Sequence, residues 1–395
     1  AKYEHNIFYM LRISLLLTTS LLLTIAGNGQ ISKLTKEKYA RGIRYEAPDS
    51  SFYVKFGLRM QNLVVVTAPE NGPTETRALV RRFRFKFDGW ILNPDLVYKV
   101  EVGQSNIDVG GGSNLLLDAV LKYHAGKNLW LWFGQTKLPG NRERVVSSQS
   151  LETVDRSALN SAYNVDRDMG FQIRHSMTIG KVLIREQASV SGGEGRNWSV
   201  GNSGGLCYTG RVEILPMGKF ASKGDYFLAD LKHEQKPKLA FGANYDLNDL
   251  ASKSKGQRGS ELDFQRTLHS YMADMIFKYK GFSVFSEIMR KEATDPFGAA
   301  EKALDPTITG TFVTGYGFNG QAGYVTKGGW GAVGRFTNVT PDAETFMNEN
   351  NQYTLALSRY IVKHKFKIQT DGTYIDNLGA APNVFMWRFH MEVGF

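Results

Sequence analysis

From Arg82 to Phe87 the chain reads Arg-Phe-Arg-Phe-Lys-Phe. Successive side chains of an extended backbone point to opposite faces, so this hexapeptide carries three cations on one face and three rings on the other. The same period of two starts at Phe52, where Phe52, Val54, Phe56, Leu58 and Met60 alternate with Tyr53, Lys55, Gly57, Arg59 and Gln61. It recurs at Phe385, Trp387, Phe389, Met391, Val393 and Phe395, interleaved with Met386, Arg388, His390, Glu392 and Gly394. An antiparallel sheet packed on a soluble core also alternates. Repetition along the whole chain and a heavily aromatic apolar face favour a transmembrane barrel, with that face on lipid and the polar face on the lumen.

Sixteen candidate strands can be placed between 52–66 and 383–395, an even number as bacterial barrels require. The fold class expected is therefore all-β, a 16-stranded antiparallel transmembrane β-barrel. Connections alternate in length. Asn93-Pro94, Ala125-Gly126-Lys127, Ile179-Gly180 and Lys280-Gly281 are short, whereas 138–167 and 293–315 are long. Short periplasmic turns and long external loops produce this asymmetry, and both ends of the barrel then lie on the periplasmic side. The connection 217–236 breaks the rule, being long where a short one is expected.

Other classes are excluded by composition. Mean hydropathy is -0.29, and no apolar run reaches the length of a membrane helix. The single Cys207 rules out a disulfide framework and a CxxC zinc site. Residues 1–26 read as a signal peptide, with Lys2 and Arg12 flanking the apolar run Ile13–Ile25. Cleavage is expected after Ala26 or as far along as Gly29, and Met10 is a candidate start. Residues 27–50 then form a short periplasmic N-terminal segment, and 51–395 the barrel in the outer membrane.

Parity identifies the lumen. Lys55 and Arg59, Arg82, Arg84 and Lys86, then Lys99, fall on the polar faces of the first three strands. Lys365, Lys367 and Arg388 fall on those of the last two, and barrel closure makes all these strands neighbours. Cations turned to lipid near the midplane would cost roughly 2–4 kcal/mol each, so the lumen is the favourable side. Arg81 has the wrong parity and is expected near an interface. Rows of Arg and Lys are how anion pores select, although Asp88, Glu101, Glu213 and Glu392 also face inward and offset part of the charge. Because lumen positions meet water, replacing them is expected to spare folding. The connection 138–167 holds Arg142, Arg144, Asp155 and Arg156; both signs in one loop suit a constriction, and equally a salt-bridged external loop. Lys253, Lys255 and Arg258 in 248–265 are either an anion collector at the mouth or a solvated loop.

The chain also resembles the phosphate-selective porins of the O and P type. The matching fragments are Arg81-Arg82-Phe83-Arg84 with Asp88-Gly89, Gly134-Gln135-Thr136-Lys137-Leu138-Pro139, Asp155-Arg156-Ser157, Arg167-Asp168-Met169-Gly170 and Gly334-Arg335-Phe336, in that order. Such porins often carry an aromatic after the proline, where this chain has Gly140. The resemblance implies a homotrimer with inward-folded loops, which makes 138–167 the constriction, and a preference for small anions such as phosphate. Which oxyanion is left open.

No constellation of nucleophile, base and orienting group is present; Gly201-Asn202-Ser203-Gly204-Gly205 fits a hydrolase pattern but has no identifiable partner. The seven histidines lack metal-ligand spacing, no cofactor is implied, and no outward basic platform for nucleic acid exists. Two function classes survive: an anion-preferring diffusion channel, and a structural or accessory barrel subunit of a larger outer-membrane complex.

Overall fold

The computed structural model describes residues 42–109, 115–201, 205–345 and 347–395, together with Tyr39. The signal segment 1–26 lies outside the described residues, as does Asn202-Ser203-Gly204 of the hydrolase-like pattern. A short strand β1 (Ile43–Glu46) precedes sixteen long ones: β2 (Phe52–Pro69), β3 (Glu75–Ile91), β4 (Asn93–Gly103), β5 (Leu116–His124), β6 (Trp130–Lys137), β7 (Arg167–Ile179), β8 (Val182–Ser191), β9 (Cys207–Leu215), β10 (Lys238–Lys253), β11 (Glu261–Tyr279), β12 (Phe282–Glu292), β13 (Gly315–Val325), β14 (Trp330–Pro341), β15 (Asn350–Val362), β16 (Phe366–Asn377) and β17 (Val384–Gly394). Each of these sixteen pairs antiparallel with the next, and β17 closes on β2 in a register that sets Arg388 opposite Val65 and Gly394 opposite Arg59. β1 takes over the same edge of β2 below that point, with Ile43 opposite Phe56.

The burial pattern is inverted relative to a soluble sheet. Along β9, Cys207, Thr209, Arg211, Glu213 and Leu215 are buried in the interior, while Tyr208, Val212 and Ile214 are exposed on the outer face. Phe133, Phe171 and Ile173 on β6 and β7 are likewise exposed outward, Phe171 at 64%. An exposed apolar exterior around a polar interior is the arrangement of a barrel in lipid. The Phe395 ring lies edge-on to lipid-facing Phe56, 6.1 Å between centroids.

All sixteen expected strands are present, with one large boundary change. The span 248–265, expected as a loop, is mostly strand, and only 254–260 connects β10 to β11. Leu262, Phe264, Leu268 and Ala251 pack with Phe312 here, so a small apolar cluster extends the hairpin beyond the polar stretch Asn248–Lys253. Lys253, Lys255 and Arg258 fasten loops rather than standing free: they reach the Glu194 carbonyl, the Ser161 carbonyl and Asp166.

The connections 138–166 and 217–236 fold into the lumen. The 138–166 connection carries α2 (Arg142–Val145) and α3 (Ala158–Tyr163), numbered after a single turn α1 (Asn106–Val109). The exceptional length of 217–236 serves burial inside the barrel. Its Phe220 and Leu228 join Val146 and Leu151 of the 138–166 loop and Leu183, Leu215, Ala240, Ile276 and Phe285 of the wall in one buried cluster. Each large apolar side chain so removed from water contributes about 1.5–3 kcal/mol. Lys278 caps the fold by donating to the carbonyls of Gly224 and Ala229, both at 2.8 Å. The long 217–236 connection is thus an inward plug that packs against the 138–166 loop.

Candidate pore lining

The 138–166 loop crosses the lumen and is fixed to the far wall, β12 to β16. Val154 N–H donates to Asp371, Glu152 accepts from Ser283 and Gln321, Arg335 donates to Thr153, and Lys367 donates to the Leu151 carbonyl. What stays open is a cavity of about 600 Å³ between the loop and the inner faces of β2 to β7. Its lining is strongly basic. Among the described residues, Arg59, Arg81, Arg82, Arg84, Arg144, Arg156, Arg167, Arg174, Arg196 and Arg258, with Lys86, Lys99, Lys122, Lys137 and Lys365, share the lining with three carboxylates, Glu101, Asp108 and Asp166.

Alternation places the row on β2 to β4 as expected, but these cations are held by acids. Arg59 Nε donates to Glu392 at 2.6 Å. Gln61 relays between Glu392 and Arg82, donating at 2.7 Å to the one and accepting at 2.7 Å from the other. Arg84 holds Asp108 at 2.5 Å and Glu101 at 3.0 Å; Lys99 holds Asp118 at 2.7 Å, and Lys86 holds Asp88 at 2.5 Å. Buried charges need such partners, because desolvation otherwise outweighs any local gain. On the loop, Asp155 takes Arg81 at 3.2 Å and Arg82 at 3.4 Å. Burial alone would raise its pKa, yet Arg82 and Arg81 hold it well below the usual carboxylate range.

Several expectations are corrected. Arg81 does line the lumen: the register steps from Gln61–Arg82 to Asn62–Val80, so Arg81 is the extra residue of a β-bulge that turns it inward. Lys367 and Arg388 point inward but lie sealed under the loop, Arg388 on Asp371 at 2.6 Å, and neither lines the cavity. Arg142 faces away from the passage, fully buried against Asp274 and Glu213. Arg144 binds Asp166, and Arg156 donates to the carbonyls of Glu143 and Val146. Lys365 belongs to the turn before β16, and Lys55, opposite Asp88 in the register, stands outside the cavity lining. The basic wall therefore runs along β2 to β7 rather than back through β16, because the loop covers that side. Not every lumen position meets water: Arg82 is buried and pairs with Asp155.

A family model for the phosphate-selective porins O and P matches residues 54–351. The chain belongs to this family. The porin shares its fold with an outer membrane channel, DcaP of Acinetobacter baumannii, at 12% identity and a TM-score of 0.57, over 89% of this chain and 99% of that one. OmpF of Salmonella typhi aligns at 10% identity and a TM-score of 0.57, over 89% and 100%. OmpT of Vibrio cholerae in its trimer form aligns at 9% identity and a TM-score of 0.51, over 87% and 100%. No curated protein matches the sequence. The porin is a multi-pass β-barrel of the outer membrane.

Sequence reasoning missed the porin's Lys122, Trp132, Arg167 and Arg174. Parity held the signal for three of them. Leu121 and Tyr123, Leu131 and Phe133, and Phe171 and Ile173 all face outward, which turns Lys122, Trp132 and Arg174 inward. Arg167 sits at the start of β7 and reaches Asp118 at 3.1 Å; Arg196 comes from a loop and donates to the Asp108 carbonyl. No local pattern marks either.

Proposed function

We propose that this outer-membrane channel is a water-filled, anion-preferring diffusion pore for phosphate or other small oxyanions. The observation that carries this reading is the cavity lining among the described residues, fifteen Arg and Lys side chains against three carboxylates, an excess that survives the four further acids, Asp88, Asp118, Asp155 and Glu392, that pair with them. Fixed positive charges between low-dielectric walls focus the field and raise the local anion concentration, and basic side chains replace part of an ion's hydration. The inward loop narrows the path to the basic side, so a passing ion stays near these charges. The exposed apolar exterior suits contact with outer-membrane lipid. The trimer form of OmpT, which has the same fold, supports a homotrimer.

The test is the reversal potential of single channels in a KCl gradient across a planar bilayer. Anion preference fixes its sign, and the preference shrinks with salt as the screening length falls from about 10 Å at 0.1 M to about 3 Å at 1 M. A cation-selective channel would overturn the reading. Added phosphate that leaves the chloride current unchanged would remove phosphate from the solutes.

A further inference from the structure

The cations that line the cavity are of two kinds. Arg59, Arg84, Lys86 and Lys99 each hold a carboxylate at 3.0 Å or less, so much of their charge is cancelled within the protein. Lys122 and Arg174 hold none within ion-pair distance among the described residues. They lie instead against the ring of Trp132, the Lys122 Nζ at 4.1 Å and the Arg174 guanidinium carbon at 3.9 Å from its centroid.

Register explains the arrangement. Lys122 stands opposite Trp132 across β5 and β6, and Trp132 stands opposite Gln172, two residues from Arg174 on the same face of β7. The acid on the face of Lys122, Asp118, is already taken by Lys99, Arg167 and Thr136. Arg174 Nε and Nη2 donate to Gln172 Oε1, a neutral acceptor. An indole attracts a cation through its quadrupole, fixing the position of the charge without cancelling it. Lys137, Arg156, Arg196 and Lys365 also lack a carboxylate side chain among the described residues, but they donate to main-chain oxygens.

We propose that Lys122 and Arg174, held on Trp132, form the site at which a small oxyanion is engaged during passage, and that selectivity is set here more than by the paired row on β2 to β4. With the Nε side of Arg174 on Gln172, its Nη1 and remaining Nη2 hydrogens are left to meet two oxygens; Lys122 adds a point charge, and Trp132 is a positioning residue. This inference rests on the anion-preferring reading, and the experiment separates the two.

The probes are KCl and inorganic phosphate, applied to the full chain in planar bilayers. A wild-type channel without anion preference refutes the underlying reading. Given that preference, K122Q/R174Q should lower the anion-to-cation permeability ratio about fivefold at 0.1 M KCl and raise the half-blocking phosphate concentration about tenfold. The comparison variant K86Q/D88N removes a paired lining cation together with its acid, which keeps the net charge, and should change both by less than half as much as K122Q/R174Q does. A K122Q/R174Q channel within twofold of wild type, or a comparison variant that matches its loss, overturns the proposal. If the double variant does not fold by heat-modifiable migration, K122Q alone is read, with about a threefold rise in half-blocking phosphate expected. For the positioning role, W132L keeps both charges and should raise half-blocking phosphate about fivefold while conductance in 1 M KCl stays at the wild-type value, and W132F should restore the block. A W132L channel that binds phosphate as wild type does refutes that role.

Discussion

Replacing Arg142 by Gln should release the lumen loop while leaving the barrel closed. Arg142 is fully buried, with Nε on Asp274 at 2.6 Å, Nη2 on Glu213 at 3.1 Å and Nη1 donating to the Asp225 carbonyl at 3.2 Å. It joins loop, wall and plug at one point. Removing one partner of a buried pair costs about 3–5 kcal/mol. Arg211 stays on both acids, at 2.7 and 2.9 Å, and Arg185 stays on Glu213 at 3.0 Å, which selects the lower end, about 3 kcal/mol. No strand ladder includes this side chain, so the loss falls on loop docking, and at 1.4 kcal/mol per factor of ten the undocked state gains about a hundredfold. Hydrogen exchange on the refolded full chain in micelles reads this directly. The Val154 amide, bonded to Asp371 at 2.9 Å, and the Leu228 amide, bonded to the Ser150 carbonyl at 3.0 Å, should exchange about a hundredfold faster, while β12 to β15 amides keep their rates. Unchanged loop amides would refute the anchor. Uniform acceleration around the barrel would refute the partition between loop and ladder.

Three further outcomes follow from the same geometry. Asp155 has its pKa depressed in the folded chain, so its contribution to docking is complete above the unfolded value near 3.8 and is lost as pH falls below it; open-channel noise should stay flat from about pH 8 to pH 5 and rise only in stronger acid, and D155N should be noisy at every pH. Gly134 has φ +133°, and an added Cβ would lie 2.2 Å from the Ala119 carbonyl oxygen, so G134A should cost at least about 1–3 kcal/mol, read as a lower urea midpoint for loss of the heat-modifiable form. Replacing 217–236 by an Asn-Gly turn removes the plug and should raise single-channel conductance in 1 M KCl; an unchanged value would mean the segment lies outside the current path.

The barrel was legible because its determinant is local. Each strand advertises itself within ten residues through alternation, and lipid enforces that code at every outward position. Even β5 to β7, whose lumen residues were passed over, obey it. The lumen obeys no such code. Arg142 meets Asp274 and Glu213, and Lys367 meets the Leu151 carbonyl, across sequence gaps that no spacing rule spans. One bulge at Arg81 reverses the parity of the rest of β3, so Leu79 packs inward with Leu63, Val65 and Val154 while Val80 faces out. The plug was visible only as a length anomaly; its apolar residues, Phe220 and Leu228, carry no sign of where they will be buried.

Counting inward cations therefore overstates the field that a permeating ion would meet. An arginine beside its carboxylate is close to a dipole, whose attraction falls off faster with distance than that of a lone charge, while a lysine on an indole remains a monopole. By this measure the row Arg59, Arg82, Arg84 serves first to hold the loop and the barrel seam together through Glu392, Asp155 and Asp108. A double reversal R82E/R84E would make the passage more cation-selective, but it would also set like charges against Asp155 and Asp108 and drive the loop off its seat. Neutral removal of whole pairs separates these effects, since it leaves net charge constant and changes only what the pair braces. Selectivity that survives such removal, yet collapses when Lys122 and Arg174 lose their charge, would assign the two tasks to different residues of one wall.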